Sequence, residues 1–157
     1  MNREATTVDL KLREIVLIED ERADAMLIER ALRKAGVTNP LKVLSDGERA
    51  LEYLTRPSRA PGTGPRPMPG LILLDIKLPR IDGLTVLRHI KATAGLRRVP
   101  VVVLSSSAQP RDVRAAYDLG ANSYLVKPSR FAELCDLAGR LHDYWLALNT
   151  PADQVVS

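Results

Sequence analysis

The sequence holds a single cysteine, Cys135, so no disulfide can close within the chain and no pair of thiols can hold a metal. That thiol falls inside an apolar helical pattern, which predicts a buried, inert group and fits a reducing, cytoplasmic setting. Aromatic residues make up only 4% of the chain, so a core has to be built from Leu, Val, Ile and Ala, as where helices pack on a parallel sheet. No window approaches a membrane span. The first residues, MNREATTVDLKLRE, carry charges every few positions and lack the apolar centre of a signal peptide, so a soluble protein is expected, with no membrane partner. The formal charge of +4 is also thin evidence for a polyanionic partner. Its sources, among them Arg56, Arg59, Arg66, Arg88, Lys91, Arg97 and Arg98, have acids between them and no aromatic interleaving. A solvated mixed surface explains them, and no nucleic-acid partner is expected.

What the chain does have is alternation. With 157 residues and 45% hydrophobic content it fits one domain. Residues 15 to 18, Ile-Val-Leu-Ile, form a short apolar run that ends in Glu19, Asp20 and Glu21. A helical stripe follows, with Leu27, Ile28, Ala31, Leu32 and Ala35 on one face, closed by Gly36. Leu41 to Leu44 is a shorter, alternating strand suited to an edge, and Asp46-Gly47 introduces a helix through Ala50, Leu51 and Leu54. Residues 56 to 70, with five Pro, three Gly and three Arg, read as a loop, either a surface excursion or a partner-binding element. The alternation then resumes.

Leu71-Ile72-Leu73-Leu74 has the continuous apolar character of a strand buried on both faces, and it ends in Asp75. Taken alone, that residue could cap a turn as readily as serve a ligand. Pro79 and Asp82-Gly83 mark a loop, and a helix then carries Leu84, Leu87, Ile90 and Ala94. Val101 to Leu104 is a fourth buried strand, ending in Ser105, Ser106 and Ser107. A helix around Val113, Ala116 and Tyr117 closes at Gly120, and Ser123 to Val126 is a fifth strand, ending in Lys127-Pro128. The last helix runs from about Phe131 to Leu148, with a core stripe of Leu134, Leu137, Ala138, Leu141, Trp145 and Leu148; Cys135, Tyr144 and Leu146 lie off it.

Five strands alternating with five helices imply a doubly wound α/β fold, a flavodoxin-like parallel sheet with right-handed crossovers. All strand carboxyl ends then share one rim, and the order 2-1-3-4-5 makes Glu19-Asp20, Asp75 and Ser105 neighbours near the switch point, with Lys127 beside them. Close carboxylates repel, and a hard divalent cation such as Mg²⁺ removes the repulsion. An Asp beside that cation is a plausible acceptor for a phosphoryl group, whose three oxygens would go to the metal, to the Lys127 ammonium, and to the Ser105 hydroxyl with a backbone amide near Ser106.

On these residues the sequence resembles the receiver domains of two-component response regulators. The resemblance rests on Glu19-Asp20 after the first strand, Asp75 in LLDIKLPRIDG, Ser105 after the fourth strand and Lys127-Pro128 after the fifth, at intervals of 30 residues from Asp75 to Ser105 and 22 from Ser105 to Lys127. It implies a receiver domain over 13–149, an N-terminal extension over 1–12 and a flexible tail over 150–157. It also implies that Asp75 takes phosphate from a sensor histidine kinase, and that Glu19, Asp20, Asp75 and the backbone carbonyl of Lys77 hold Mg²⁺. Pro128 would follow a cis bond, and Ser105 with Tyr124 would form the switch. Catalysis would be confined to the domain's own phosphorylation and dephosphorylation. Ser105 stands where Thr is commoner in the family, which keeps the hydroxyl. The acidic loop, the Pro/Arg-rich insertion and the Trp-bearing final helix look most like single-domain regulators partnered with bacterial or cyanobacterial phytochromes.

Two other functions compete. A hydrolase of the haloacid dehalogenase type would work through an aspartyl phosphate, but that family has a second Asp two residues after its nucleophile, where this chain has Lys77, and its acidic pair late in the chain. A receiver-like scaffold that takes no phosphate is disfavoured because no site residue is missing. Finally, Trp145 with Tyr144 could complete the core, or Tyr144, Trp145 and Leu148 could form a self-complementary homodimer face.

Overall fold

The computed structural model describes residues 13–56 and 68–152. The extension over 1–12, most of the Pro/Arg-rich insertion and most of the tail lie outside the described residues. Five strands, β1 (Ile15–Ile18), β2 (Leu41–Leu44), β3 (Leu71–Leu74), β4 (Val101–Ser105) and β5 (Ser123–Val126), form one parallel sheet in the order 2-1-3-4-5. Five helices connect and cover them: α1 (Arg22–Lys34), α2 (Gly47–Thr55), α3 (Gly83–Ala92), α4 (Pro110–Asp118) and α5 (Phe131–Asp143), the last continued by a π turn, Tyr144–Leu148. The chain has the α/β fold expected of it.

The strands divide the core by their twofold period. Val16, Ile18, Ile72, Leu74, Val101 and Val103 face one way and pack with Ala50 and Leu54 of α2, Val86, Leu87 and Ile90 of α3, and Ala116 of α4. Their neighbours Ile15, Leu17, Leu71, Leu73, Val102 and Leu104 face the other way, onto Ala25, Ile28, Ala31 and Leu32 of α1 and Leu134, Ala138 and Leu141 of α5. Burial on both faces is why the three central strands read as unbroken apolar runs. The edge strands β2 and β5 are only partly buried.

Helix starts are local chemistry. Asp46 Oδ1 accepts from the Arg49 N–H at 2.7 Å, and Asp82 Oδ1 accepts from the Leu84 N–H at 2.6 Å, each satisfying a donor that the first helical turn leaves open. Pro110 opens α4, where its missing N–H costs nothing.

Some faces differ from the sequence pattern. Leu27 is 41% exposed and Ala35 is exposed as well; Ala25 instead joins Ile28, Ala31 and Leu32 on the inner face of α1. Cys135 is half-buried, not fully buried. The largest shift is at the end of the chain, where Leu146 is buried at 2% exposure while Leu148 stands 77% exposed, the reverse of the expected stripe. The cause is the π turn: the Asn149 N–H donates to the Tyr144 carbonyl at 2.7 Å, an i→i+5 bond that inserts one residue into the register. After Leu141 the next buried side chain therefore falls at 146.

Candidate phosphoacceptor and cation site

The sheet delivers the site by one more ladder step. The Glu19 N–H donates to the Leu44 carbonyl (3.0 Å), the Asp75 N–H to the Ile18 carbonyl (3.0 Å) and the Lys127 N–H to the Ser105 carbonyl (2.8 Å). Each residue is thereby held in register just past its strand. Side chains from three segments more than fifty residues apart in sequence converge on one rim.

Lys127 Nζ lies at the centre. It donates to Glu19 Oε1, to Asp75 Oδ2 at 3.1 Å and to Asp24 Oδ2 at 3.2 Å. Glu19 is almost wholly enclosed and Asp75 is 7% exposed, so these charges are poorly screened. Glu19 Oε2 accepts from the Glu21 N–H at 3.1 Å, and Asp75 Oδ1 from the Lys77 N–H at 2.9 Å. Burial pushes the Glu19 carboxyl up to about 7, helped by the Asp75 charge and opposed by the bonds from Lys127 and Glu21. Burial also works against the charge on Lys127, but bonds and charges from Glu19 and Asp75 outweigh it and hold the ammonium above its ordinary value. Lys127 is the partner that keeps its charge, since it faces three carboxylates while Glu19 shares one ammonium with two other acids.

One ammonium does not neutralise this rim. Glu19, Asp20 and Asp75 each bring a carboxylate oxygen within 4.8 Å of the others. An all-oxygen set of this kind, with excess negative charge and one member driven toward protonation, suits a hard divalent cation that completes its shell with water. Glu19 sits at about 7 in the folded protein against an ordinary 4.5, so its contribution to stability is complete below pH 4.5 and is lost as pH rises through about 7. Urea midpoints measured in EDTA are expected to fall between pH 5 and pH 8, and to fall less in Glu19→Gln. Equal slopes in the two proteins would exclude Glu19 as the source.

The hydroxyl side is tied to the same rim. Ser105 ends β4 fully buried, and its Oγ accepts from the Ser107 N–H at 3.2 Å. Tyr124 Oη donates to the Ser107 carbonyl at 2.7 Å, so the ring's polar end holds the loop that follows Ser105. Ser106 is exposed. The expected cis bond before Pro128 is not present; no cis peptide occurs among the described residues. A trans X–Pro bond is favoured by about 0.5–1 kcal/mol in the absence of a constraint, and Lys127 reaches Asp75 without the isomer. Among the described residues the sequence reading missed Asp24, an acid in the first turn of the helix that directly follows the acidic loop. It also missed the side chains of Lys77 and Asp112, which form an ion pair at 3.3 Å that no local pattern announces.

Residues 15–138 match the family model of the response regulator receiver domain. The chain belongs to that family. Related proteins agree: the receiver is 44% identical over 135 residues to a probable methanogenesis regulatory protein, FilR2, of Methanothrix harundinacea, covering 86% of this chain and 84% of that one. It is 37% identical over 132 residues to the response regulator Rcp1 of Synechocystis, covering 84% and 88%; the Mn²⁺-bound structure of Rcp1 superposes with a TM-score of 0.76 over 88% of this chain and 98% of that one. The phosphorylated cyanobacterial phytochrome response regulator RcpA superposes with a TM-score of 0.79 at 35% identity, over 90% and 99%. The receiver is thus similar to single-domain phytochrome response regulators, and its place in two-component signalling is shared with them. Membership leaves the haloacid dehalogenase alternative without support. Among the described residues no helix is long and apolar enough to cross a membrane.

Proposed function

We propose that the receiver accepts a phosphoryl group on Asp75 from the phosphohistidine of a sensor histidine kinase, and that the modification changes the face it offers to partners. The observation that carries this is the placement of Lys127 Nζ 3.1 Å from Asp75 Oδ2, with Asp75 itself converging on Glu19 and Asp20. Mg²⁺ held by Glu19, Asp20, Asp75 and the Lys77 carbonyl would supply charge neutralisation for one phosphoryl oxygen. An Asp75 oxygen attacks phosphorus, the P–N bond to the imidazole breaks, and its electron pair leaves with the ring. Lys127 balances charge on a second oxygen. The Ser105 hydroxyl moves to the third, with an amide near Ser106, and the loop held by Tyr124 Oη moves with it.

The kinase is of the phytochrome type on this reading, supported by the likeness to RcpA and by the bacteriophytochrome response regulator AtBRR, 40% identical over 82% of this chain. The receiver also pairs with a second copy through Tyr144, Trp145 and Leu148. Tyr144 is 53% exposed, Leu148 more so, and an open groove of about 600 Å³ runs between β5 and α5 beside Trp145.

Acetyl phosphate is the direct test, the P–O bond then breaking and acetate leaving. With Mg²⁺ one labile phosphoryl adduct is expected, absent in Asp75→Asn and in EDTA. Label that persists in Asp75→Asn, or an unlabelled wild type, would reject the assignment. Sedimentation of the same samples should find dimer at micromolar concentration, and a monomer throughout would remove the pairing.

A further inference from the structure

Lys77 brings a second cation to the edge of the site, and its side chain leads away from Asp75. Its N–H serves Asp75 Oδ1, whereas its Nζ lies 3.3 Å from Asp112 Oδ2 in the first turn of α4. The same Asp112 oxygen accepts from Ser107 Oγ at 2.5 Å, and Ser107 Oγ in turn accepts from the Gln109 N–H at 3.3 Å. Ser107 is also the residue whose N–H holds Ser105 Oγ and whose carbonyl holds Tyr124. One carboxylate, only 8% exposed, therefore links the loop after β3, the loop after β4 and the start of α4.

An acid in a helix's first turn needs no special role, because the helix dipole favours it there. That accounts for the position of Asp112 and not for its bonds. Two donors from two different loops meet on a single oxygen, and one of them comes from the residue two places after the phosphoacceptor. The Ser107 hydroxyl, and then the Lys77 ammonium, hold the Asp112 carboxyl below the usual carboxylate range, so it is charged at neutral pH.

We propose that Asp112 is a positioning residue: it holds the Lys77 ammonium off Asp75 in the unmodified receiver, and it releases α4 when a phosphoryl group on Asp75 competes for that ammonium. The inference rests on the phosphoacceptor reading of Asp75. The Lys77 side chain is 57% exposed on a flexible four-carbon stem, free to swing between two anions. A phosphoryl group brings close to two negative charges beside the residue's own backbone, against one on Asp112. Ser105, drawn to the same group, gives up the bond from the Ser107 N–H. Two contacts, the Lys77–Asp112 pair and the Ser107–Ser105 bond, thus change in one event, and α4 registers the charge on Asp75.

The test is a double-mutant cycle on the full chain, with Asp112→Asn, Lys77→Met and the pair, read by the initial rate of acetyl phosphate labelling in Mg²⁺ and by amide NMR shifts over Ser107 to Val113. Without the ion pair to break, Asp112→Asn should label about three-fold faster than wild type, the worth of a partly exposed pair. Its unlabelled amides should already lie part of the way toward those of labelled wild type. In the Lys77→Met background the Asp112→Asn effect on rate should vanish, which a merely structural role for Asp112 would not produce. Asp112→Ser makes the same charge removal should the Asn variant misfold. Equal rates in wild type and Asp112→Asn, or an effect of the same size without Lys77, would overturn the inference while leaving Asp75 as acceptor. An unlabelled wild type would instead overturn the acceptor reading, and this inference with it.

Discussion

Lys127→Met will unfold in the absence of metal about 3 kcal/mol more easily than wild type, because it strips the counter-charge from an enclosed carboxylate cluster. Lys127 Nζ is the shared donor to Glu19, Asp75 and Asp24, and its side chain is 14% exposed. Methionine fills a similar volume, so the loss is electrostatic and not a cavity. The defect should shrink at pH 5, where Glu19, already displaced to about 7, takes up a proton and removes one of the three charges. It should also shrink in saturating Mg²⁺, since a ligand that binds only the folded state adds stability in proportion to the logarithm of its concentration over Kd. Lys127→Arg keeps the charge but spreads it over a planar fork that does not fit a point between three acids, so it should recover only part of the loss. Urea titrations of the three proteins at pH 5 and pH 8, with EDTA and with Mg²⁺, give every comparison. A Lys127→Met protein as stable as wild type at pH 8 in EDTA would mean that the acids repel each other less than their spacing implies.

Much of this arrangement could be read from the chain because burial on both faces leaves an unmistakable trace. Ile15–Ile18, Leu71–Leu74 and Val101–Leu104 are apolar without interruption, and the polar residue that ends each run has to lie at the sheet's carboxyl rim. Glu19, Asp75 and Ser105 are found there for that reason, with Lys127 one step beyond β5. What escaped the sequence depends on geometry that residue type does not encode. Leu146 and Leu148 exchange places because one hydrogen bond skips an extra residue, and apolar spacing on an ideal helix cannot foresee a π turn. Asp112 resembles any acid in a first helical turn until Ser107 and Lys77 are seen on the same oxygen. The bond before Pro128 is a choice between isomers that differ by about 1 kcal/mol, too little for local sequence to decide.

Gly83→Ala is expected to reach the phosphoacceptor through the backbone. Gly83 is the first residue of α3, behind its Asp82 cap, and its N–H donates to the Ile76 carbonyl at 3.0 Å. A Cβ on Gly83 would stand 2.3 Å from the Asp75 carbonyl oxygen and 2.4 Å from Ile76 Cα. Both are main-chain atoms of the segment that carries the acceptor, so no side-chain rotation relieves the overlap. Either α3 lifts off the end of β3, or Asp75 is pushed away from Lys127. The first outcome costs stability, about 3 kcal/mol at the upper end of overpacking penalties. The second costs chemistry, since a displacement near 1 Å at a reacting group can slow a reaction about 100-fold. Gly36→Ala separates crowding from backbone preference: Gly36 has φ of 87° with nothing within 4 Å of an added Cβ, so alanine there should cost about 1–2 kcal/mol and leave the rate of acetyl phosphate labelling unchanged. If Gly83→Ala labelled and melted like wild type, the close approach of α3 to Asp75 would have no part in fixing the acceptor.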